Sequence, residues 1–314
     1  MKSRILNRKV LKVGKEYYRE SKTLDRVCID RPVGGIGDVL MATVAMREFK
    51  RENPNTKLTV AIDRHTTYDD TYYKLIYNAP FIDEIIDSRH VDKRAYDEYW
   101  NIKSVCIQRE HSRFPNLNRI DIFAKACSVK HIKDHLPFYE ESNFEKRKAE
   151  KYISSFQNRK KIFIHSASNE GKRSYNPRNL ERLIAMLREE YPECKLLISD
   201  FNRVLQKSVF KTYNCEDVSS LNIRDTASLI KRSDLFVGPD SGLMHLAGAV
   251  GTRSLVIFGS IPPEVRINHY PTHESVTLKG LSCLGCWYKQ CDRAIECMVG
   301  LKPEVILNRI RRML

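Results

Sequence analysis

Strand-like apolar runs alternate with helix-periodic segments along nearly the whole chain, and this alternation constrains the fold more than any other feature. "RVCIDR" (26–31) and "KLTVAID" (57–63) read as buried strands, and between them Val39, Ala42, Thr43, Met46 and Phe49 recur at helical spacing. Further strands are expected at "DEIID" and "SVCIQ", then a helix over "NRIDIFAKAC". "LPFYEESN" (136–143) reads as a connection, because proline and polar residues break the period. The alternation then restarts: "KKIFIHSA", "CKLLISD", "DLFVGPD" and "SLVIFGS" as strands, "PRNLERLIAMLREEYP", "IRDTASLIKRS" and "SGLMHLAGAVG" as helices. The expected fold is α/β, with two doubly wound, parallel-sheet halves. The 314 residues suffice for two domains with separate cores. The expected organisation is a basic arm over 1–26, Rossmann-like domains over 27–143 and 144–300, and a C-terminal helix over 301–314. Ligands of such a pair bind in the cleft, at the carboxyl ends of the strands.

Composition excludes some classes. An apolar fraction of 42% with 30% charged residues is that of a globular protein. No apolar run approaches the roughly 20 residues that cross a bilayer. The basic N-terminus is followed by no apolar segment of the secretory kind, so the cytoplasm is the expected compartment. The net charge of +15 points to acidic partners. Residues 1–26 carry nine Lys or Arg against three acids, with Leu6, Val10, Val13 and Tyr17 on one helical face. Such an arm either docks on anionic lipid or nucleic acid or packs on its own domain by that face.

Two turns carry the chemistry. "GGIGD" follows the first strand and opens the first helix. Gly34, Gly35 and Gly37 leave room for a substrate to approach the backbone, and Asp38 sits at the helix start. The carboxylate reads either as a general base for an acceptor hydroxyl or as a helix N-terminal acid that complements the dipole. With Asp63 ending the second strand, the turn also resembles part of a dinucleotide-binding fingerprint, which would make the chain an NAD(P)-dependent reductase; the third glycine, however, is missing. The second turn is "VGPDSGLMHLAGAVGT" (237–252), where Asp240 is placed to cap the helix that follows. The first N–H groups of that helix, from Ser241, Gly242 and Leu243, suit a diphosphate. His245, off the apolar stripe of Leu243, Leu246, Ala247 and Val250, either touches a phosphate or satisfies local polar groups.

"GGIGDVLMATVAMREFK" early and "VGPDSGLMHLAGAVGTRSLVIFG" late, in this order and separation, resemble the heptosyltransferase family of glycosyltransferases, family nine, from about Val27 onward. The resemblance implies a GT-B architecture, two Rossmann-like domains facing across a cleft, with the acceptor on the N-terminal side. It implies a nucleotide sugar, typically ADP-heptose, in the C-terminal half, and inverting transfer without a catalytic metal. Asp38 falls on the family's base, and Asp240, Ser241 and Gly242 on its diphosphate loop. The family's polar turn matches "FIHSASNEGKRSYNP", which offers Ser166 and either Lys172 or Arg173 to the diphosphate; Arg173 with Tyr175 fits the family's Lys-x-Trp spacing better. The implied acceptor is the anionic inner core of lipopolysaccharide, at the inner membrane face. The charge equally suits a transferase that adds a pentose or hexose to DNA bases, or a nucleic-acid-binding protein with no activity.

Four of the nine cysteines stand in one stretch: Cys283, Cys286, Cys291 and Cys297, spaced x2, x4 and x5. Four thiolates at short spacing suit a structural zinc or iron ion. The span is tighter than the usual paired C-x2-C site, so reduced thiols or disulfides are the other readings. Similar stretches occur in the resembled family after its second motif.

Overall fold

The computed structural model describes residues 24–31, 34–65, 68–110, 117–287 and 290–314. The basic arm expected over residues 1–26 lies outside the described residues up to position 23. In the N-terminal lobe β1 (Arg26–Arg31), α1 (Ile36–Glu52), β2 (Lys57–Ile62), α2 (Thr71–Ile76) and β3 (Glu84–Asp87) follow in order. β4 (Glu98–Asn101), α3 (Val105–Glu110) and α4 (Arg119–Ala126) complete it. The sheet is parallel, in the order β3-β2-β1-β4. β1 lies inside it, pairing Val27 with Leu58 on one side and with Glu98 on the other, so its residues from Val27 on are buried. One sequence expectation fails here. "SVCIQ" is not a strand but belongs to α3, and the edge strand is the preceding "EYWN". An edge strand is half-exposed, so its polar residues give no apolar alternation to read.

The C-terminal lobe contains α5 (Asn143–Ile153), β5 (Lys161–His165), α6 (Pro177–Glu190), β6 (Lys195–Ser199), α7 (Lys207–Thr212), β7 (Glu216–Asp217) and α8 (Ile223–Lys231). It continues with β8 (Leu235–Pro239), α9 (Gly242–Ala249), β9 (Ser254–Phe258), α10 (Glu264–Ile267), β10 (His273–Thr277), α11 (Glu296–Val299) and α12 (Pro303–Met313). Its parallel sheet has the order β10-β9-β8-β5-β6-β7. The order reverses between β5 and β8, so the crevice for a ligand opens at the carboxyl ends of those two strands. α12 packs against α6, and its Ile306, Leu307 and Ile310 are fully enclosed in this lobe's core.

The lobes share an apolar seam. Leu243, Leu246 and Ala247 of α9 join the same buried cluster as Val39, Leu40 and Ala42 of α1. Arg224 of α8 pins the opposite end of the seam. Its guanidinium donates to Glu145 Oε1 at 2.6 Å, to the Lys74 carbonyl at 3.0 Å and to the Glu140 carbonyl at 2.7 Å. The Tyr77 and Tyr139 rings lie 4.8 and 4.6 Å from it. Among the described residues, no helix is long and apolar enough to cross a membrane.

Candidate active site

The first turn places Asp38 in the opening turn of α1, where its carboxylate accepts from the Gly35 N–H at 3.3 Å. Two arginines grip the carboxylate: Arg31 at 2.9 Å and Arg119, from the start of α4, at 2.7 Å. Burial alone would raise the Asp38 carboxyl, but the two guanidinium groups outweigh it and hold it well below the usual carboxylate range. The side chain keeps 12% of its surface exposed, so it is ionised and still reachable. Gly34 is required at φ +144°, where a Cβ would meet Arg31 Nη2 at 2.3 Å, and its carbonyl accepts from the Tyr72 hydroxyl.

The glycines do less for a substrate than the sequence suggests. A Cβ on Gly37 would lie 2.5 Å from His245 Cδ2, so that space belongs to the other lobe. A Cβ on Gly242 would meet Ile36 Cβ at 2.8 Å. These two glycines let the N-termini of α1 and α9 approach each other. Only Gly35 of the first turn has open space where a Cβ would be.

In the second turn Ser241, not Asp240, is the N-cap of α9, and its side chain makes no capping bond. The Ser241 hydroxyl is buried without a partner, at the end of a helix whose first N–H groups have none within the helix. Asp240 is held instead by Arg173 at 3.3 Å and Arg266 at 3.9 Å. Burial opposes its ionisation, but Arg266 and Arg173 keep its carboxyl below the ordinary range. His245 is enclosed, with Nδ1 2.7 Å from the Tyr270 hydroxyl, and burial pushes its imidazole down to about 3. It is a neutral ring that packs against Gly37 and Tyr270.

The turn after β5 separates its candidates. Ser166 donates its hydroxyl to Asp200 Oδ1 at 2.6 Å, which uses the donor it was expected to offer a phosphate. Arg173 reaches the second turn through Asp240 and also pairs with Glu170 at 3.1 Å, while its Nε is buried without a partner. Lys172 donates to the Trp287 carbonyl at 3.3 Å. Both cations therefore face the second turn or the loop beside it. Arg31 ends a strand three residues before the glycines, a position the motif does not single out. Arg119 and Arg266 lie far along the chain from the acids they meet, in segments without a motif.

Trp287 also ties the cysteine stretch to this site. Its ring carries Arg266 at 5.3 Å, and it follows Cys286 directly. The Ile295 N–H donates to Cys291 Sγ at 3.3 Å. Burial raises the Cys297 thiol, and Cys286, Cys291 and Cys283 add to the shift, so the four sulfurs feel one another. All four are free thiols. Among the described residues, they do not yet form a group with three ligand atoms within 4.8 Å; Asp121, His135 and His269 do.

Two Rossmann-like lobes that meet at the carboxyl ends of parallel strands define the GT-B fold. Residues 117–294, more than half of the chain, match the family model of glycosyltransferase family 9 (heptosyltransferase), and the chain belongs to that family. It is 30% identical over 171 residues to lipopolysaccharide heptosyltransferase 1 of Campylobacter coli, across 50% of this chain and 47% of that protein. With lipooligosaccharide heptosyltransferase 2 of Campylobacter jejuni (serotype O:2) it shares 27% over 121 residues, 38% of this chain and 37% of that one. The chain thus spans about half or less of the curated relatives it matches. Two solved structures share the fold. The Escherichia coli ADP-heptose lipopolysaccharide heptosyltransferase II superposes with a TM-score of 0.67 at 13% identity, over 92% of this chain and 98% of that one. TibC of enterotoxigenic E. coli, described as an iron-containing dodecameric glycosyltransferase, gives 0.68 at 16%, over 94% and 78%. The matched segment contains Arg119 and the whole second turn; Asp38 lies before it.

Proposed function

We propose that the chain transfers a heptose-like sugar from an ADP-linked donor to a hydroxyl of the lipopolysaccharide core, with inversion and without a catalytic metal. One observation carries the reading. The N-termini of α1 and α9 face each other across Gly37 and Gly242, ringed by Arg31, Arg119, Arg173 and Arg266 with Asp38 and Asp240 as their partners. Four cations and two positive helix ends against two carboxylates leave an excess of positive charge, which a diphosphate neutralises. The Ser241 hydroxyl and the first N–H groups of α9 supply the hydrogen bonds.

In the reaction, the acceptor oxygen attacks the anomeric carbon from the face opposite the diphosphate and passes its proton to Asp38. The bond from that carbon to the diphosphate oxygen breaks, and ADP departs with the electron pair. Arg173, Lys172 and the start of α9 stabilise the charge it takes away. Asp38 is ionised in the arginine clamp but weakly basic there. A phosphorylated acceptor that draws Arg31 or Arg119 onto itself would loosen the clamp and restore basicity as the hydroxyl arrives. The lipopolysaccharide core has the required anionic groups and suits a basic protein working at a membrane surface.

A structural zinc or iron held by Cys283, Cys286, Cys291 and Cys297 would require their sulfurs to draw closer together than they stand. The mutual influence of the four thiols and a backbone N–H aimed at Cys291 Sγ support that donor set. An ion there would fix Trp287 and through it Lys172 and Arg266; it takes no part in the transfer. Metal analysis of the purified chain is expected to find it, and chelation to weaken ADP binding.

The test of the function is an assay of the purified chain with ADP-heptose and heptose-free lipopolysaccharide core, read by ADP release and product mass. Glycan heavier by one heptose is expected, with little turnover of UDP- or GDP-sugars. Transfer to duplex DNA and none to the core would overturn the reading.

A further inference from the structure

Asp121, His135 and His269 come from three separate segments: α4, the connection between the lobes, and the loop after α10 in the C-terminal lobe. Their ligand atoms all lie within 4.8 Å of one another, and each side chain is half-buried. Asp121 Oδ2 is 3.1 Å from His269 Nε2, and Asp121 Oδ1 is 3.7 Å from His135 Nε2. The two imidazoles stack, centroids 4.1 Å apart at 24°, so the nitrogens that face the carboxylate stand side by side. Nothing in the transfer reaction uses these groups.

We propose that Asp121, His135 and His269 form a binding site for a divalent transition-metal ion of the zinc class, joining the two lobes behind the cleft. Two imidazole nitrogens and one carboxylate oxygen are a ligand set for which such ions are suited, at about 2.0–2.2 Å from each donor. The spacing of the three donors calls for modest side-chain rotation to reach those bond lengths, and the fourth position falls to water.

The geometry favours a cation over a plain hydrogen-bonded trio, because three donor atoms from three separate segments converge within 4.8 Å. The backbone is set in advance. Asn118 Nδ2 donates to Asn268 Oδ1 at 2.6 Å, a bridge between the lobes one residue from His269 and three from Asp121. Bound metal would hold the lobes together beside Arg119, two residues before Asp121, without touching the diphosphate site.

The experiment is a zinc titration of the full chain after metal removal, with equivalents counted by elemental analysis, alongside His135→Ala, His269→Ala and Asp121→Asn. The wild type is expected to take up one equivalent more than either histidine variant, and Asp121→Asn to bind that equivalent at least 10-fold more weakly. Cobalt in the same site is expected to give weak visible bands without the sulfur-to-metal absorption that the cysteine stretch would give. On the unmutated chain, zinc is expected to protect His135 and His269 from diethyl pyrocarbonate and to raise the melting temperature by about 5 °C at 100-fold excess over Kd. Equal equivalents in the wild type and both histidine variants, or modification of the two histidines unaffected by zinc, would overturn the proposal and leave a proton-sharing His–Asp–His cluster.

Discussion

The two glycine-bearing turns look alike and hold their acids differently. Each joins a strand to a helix, and each puts an aspartate between two arginines. Asp38 stands inside the first turn of α1, bonded to the Gly35 N–H, and keeps 12% of its side chain exposed. Asp240 stands before α9, its side chain 3% exposed, and leaves the end of the helix to the unpartnered Ser241 hydroxyl. In the proposed mechanism the first arrangement offers a carboxylate to a proton, while the second uses its carboxylate to orient Arg173 and Arg266 and offers donors to an anion. On that reading the surroundings of the same residue, not its identity, separate a reacting group from a scaffold.

The comparison breaks first at Asp240. Asp240→Asn removes the charge that balances the buried Arg266 guanidinium and the part-buried Arg173, so stability is expected to fall by about 3 kcal/mol, measured by urea unfolding. A neutral effect would mean that Asp240 is not the scaffold. Next comes Arg173→Ala, expected to weaken ADP binding about 10- to 100-fold in a calorimetric titration, since a charged donor to phosphate is lost. Lys172→Ala is expected to weaken it less, because Lys172 is engaged with the Trp287 carbonyl. The reverse order would exchange the roles of the two cations.

A third test concerns the contact between the turns. Gly37→Ala drives a methyl into His245 and is expected to cost about 1–3 kcal/mol. Adding His245→Ala should restore part of that loss, and simple additivity would show that the helices can part at this point. A further test is in pH. Burial holds His245 at about 3, and His165 and His273 at about 4, against an ordinary value of 6.5. Below pH 6.5 the unfolded chain binds protons that the folded chain refuses. Stability contributed by these neutral rings is therefore complete above about 6.5 and falls as pH drops toward 3, by about 1.4 kcal/mol per pH unit for each proton. His245→Asn should make the slope of melting temperature against pH shallower by one proton's worth.

Much of this was legible in the sequence where the signal is local. The buried strands β1, β2, β5, β6, β8 and β9 announce themselves as apolar runs, and both turns carry their glycines and acids within a few residues. What local pattern does not encode is long-range or polar. β4 is "EYWN", with no apolar alternation, and the more apolar "SVCIQ" beside it reads as the strand but folds into α3. Ser166 reads as available in the sequence, yet its hydroxyl donates to Asp200, 34 residues away. Arg119 stands 81 residues from Asp38 and has no motif of its own; only the fold brings it to the carboxylate. Gly37 and Gly242 also serve a contact between the two lobes that no local pattern encodes.

Asp38 is proposed as the proton acceptor in a site whose donor-binding half stands apart from it. The most direct measurement is sugar transfer and ADP affinity in Asp38→Asn, assayed on the same preparation. The account predicts a fall in transfer of about 10²- to 10⁴-fold with ADP affinity within a few-fold of the wild type. Transfer at the wild-type rate would contradict it.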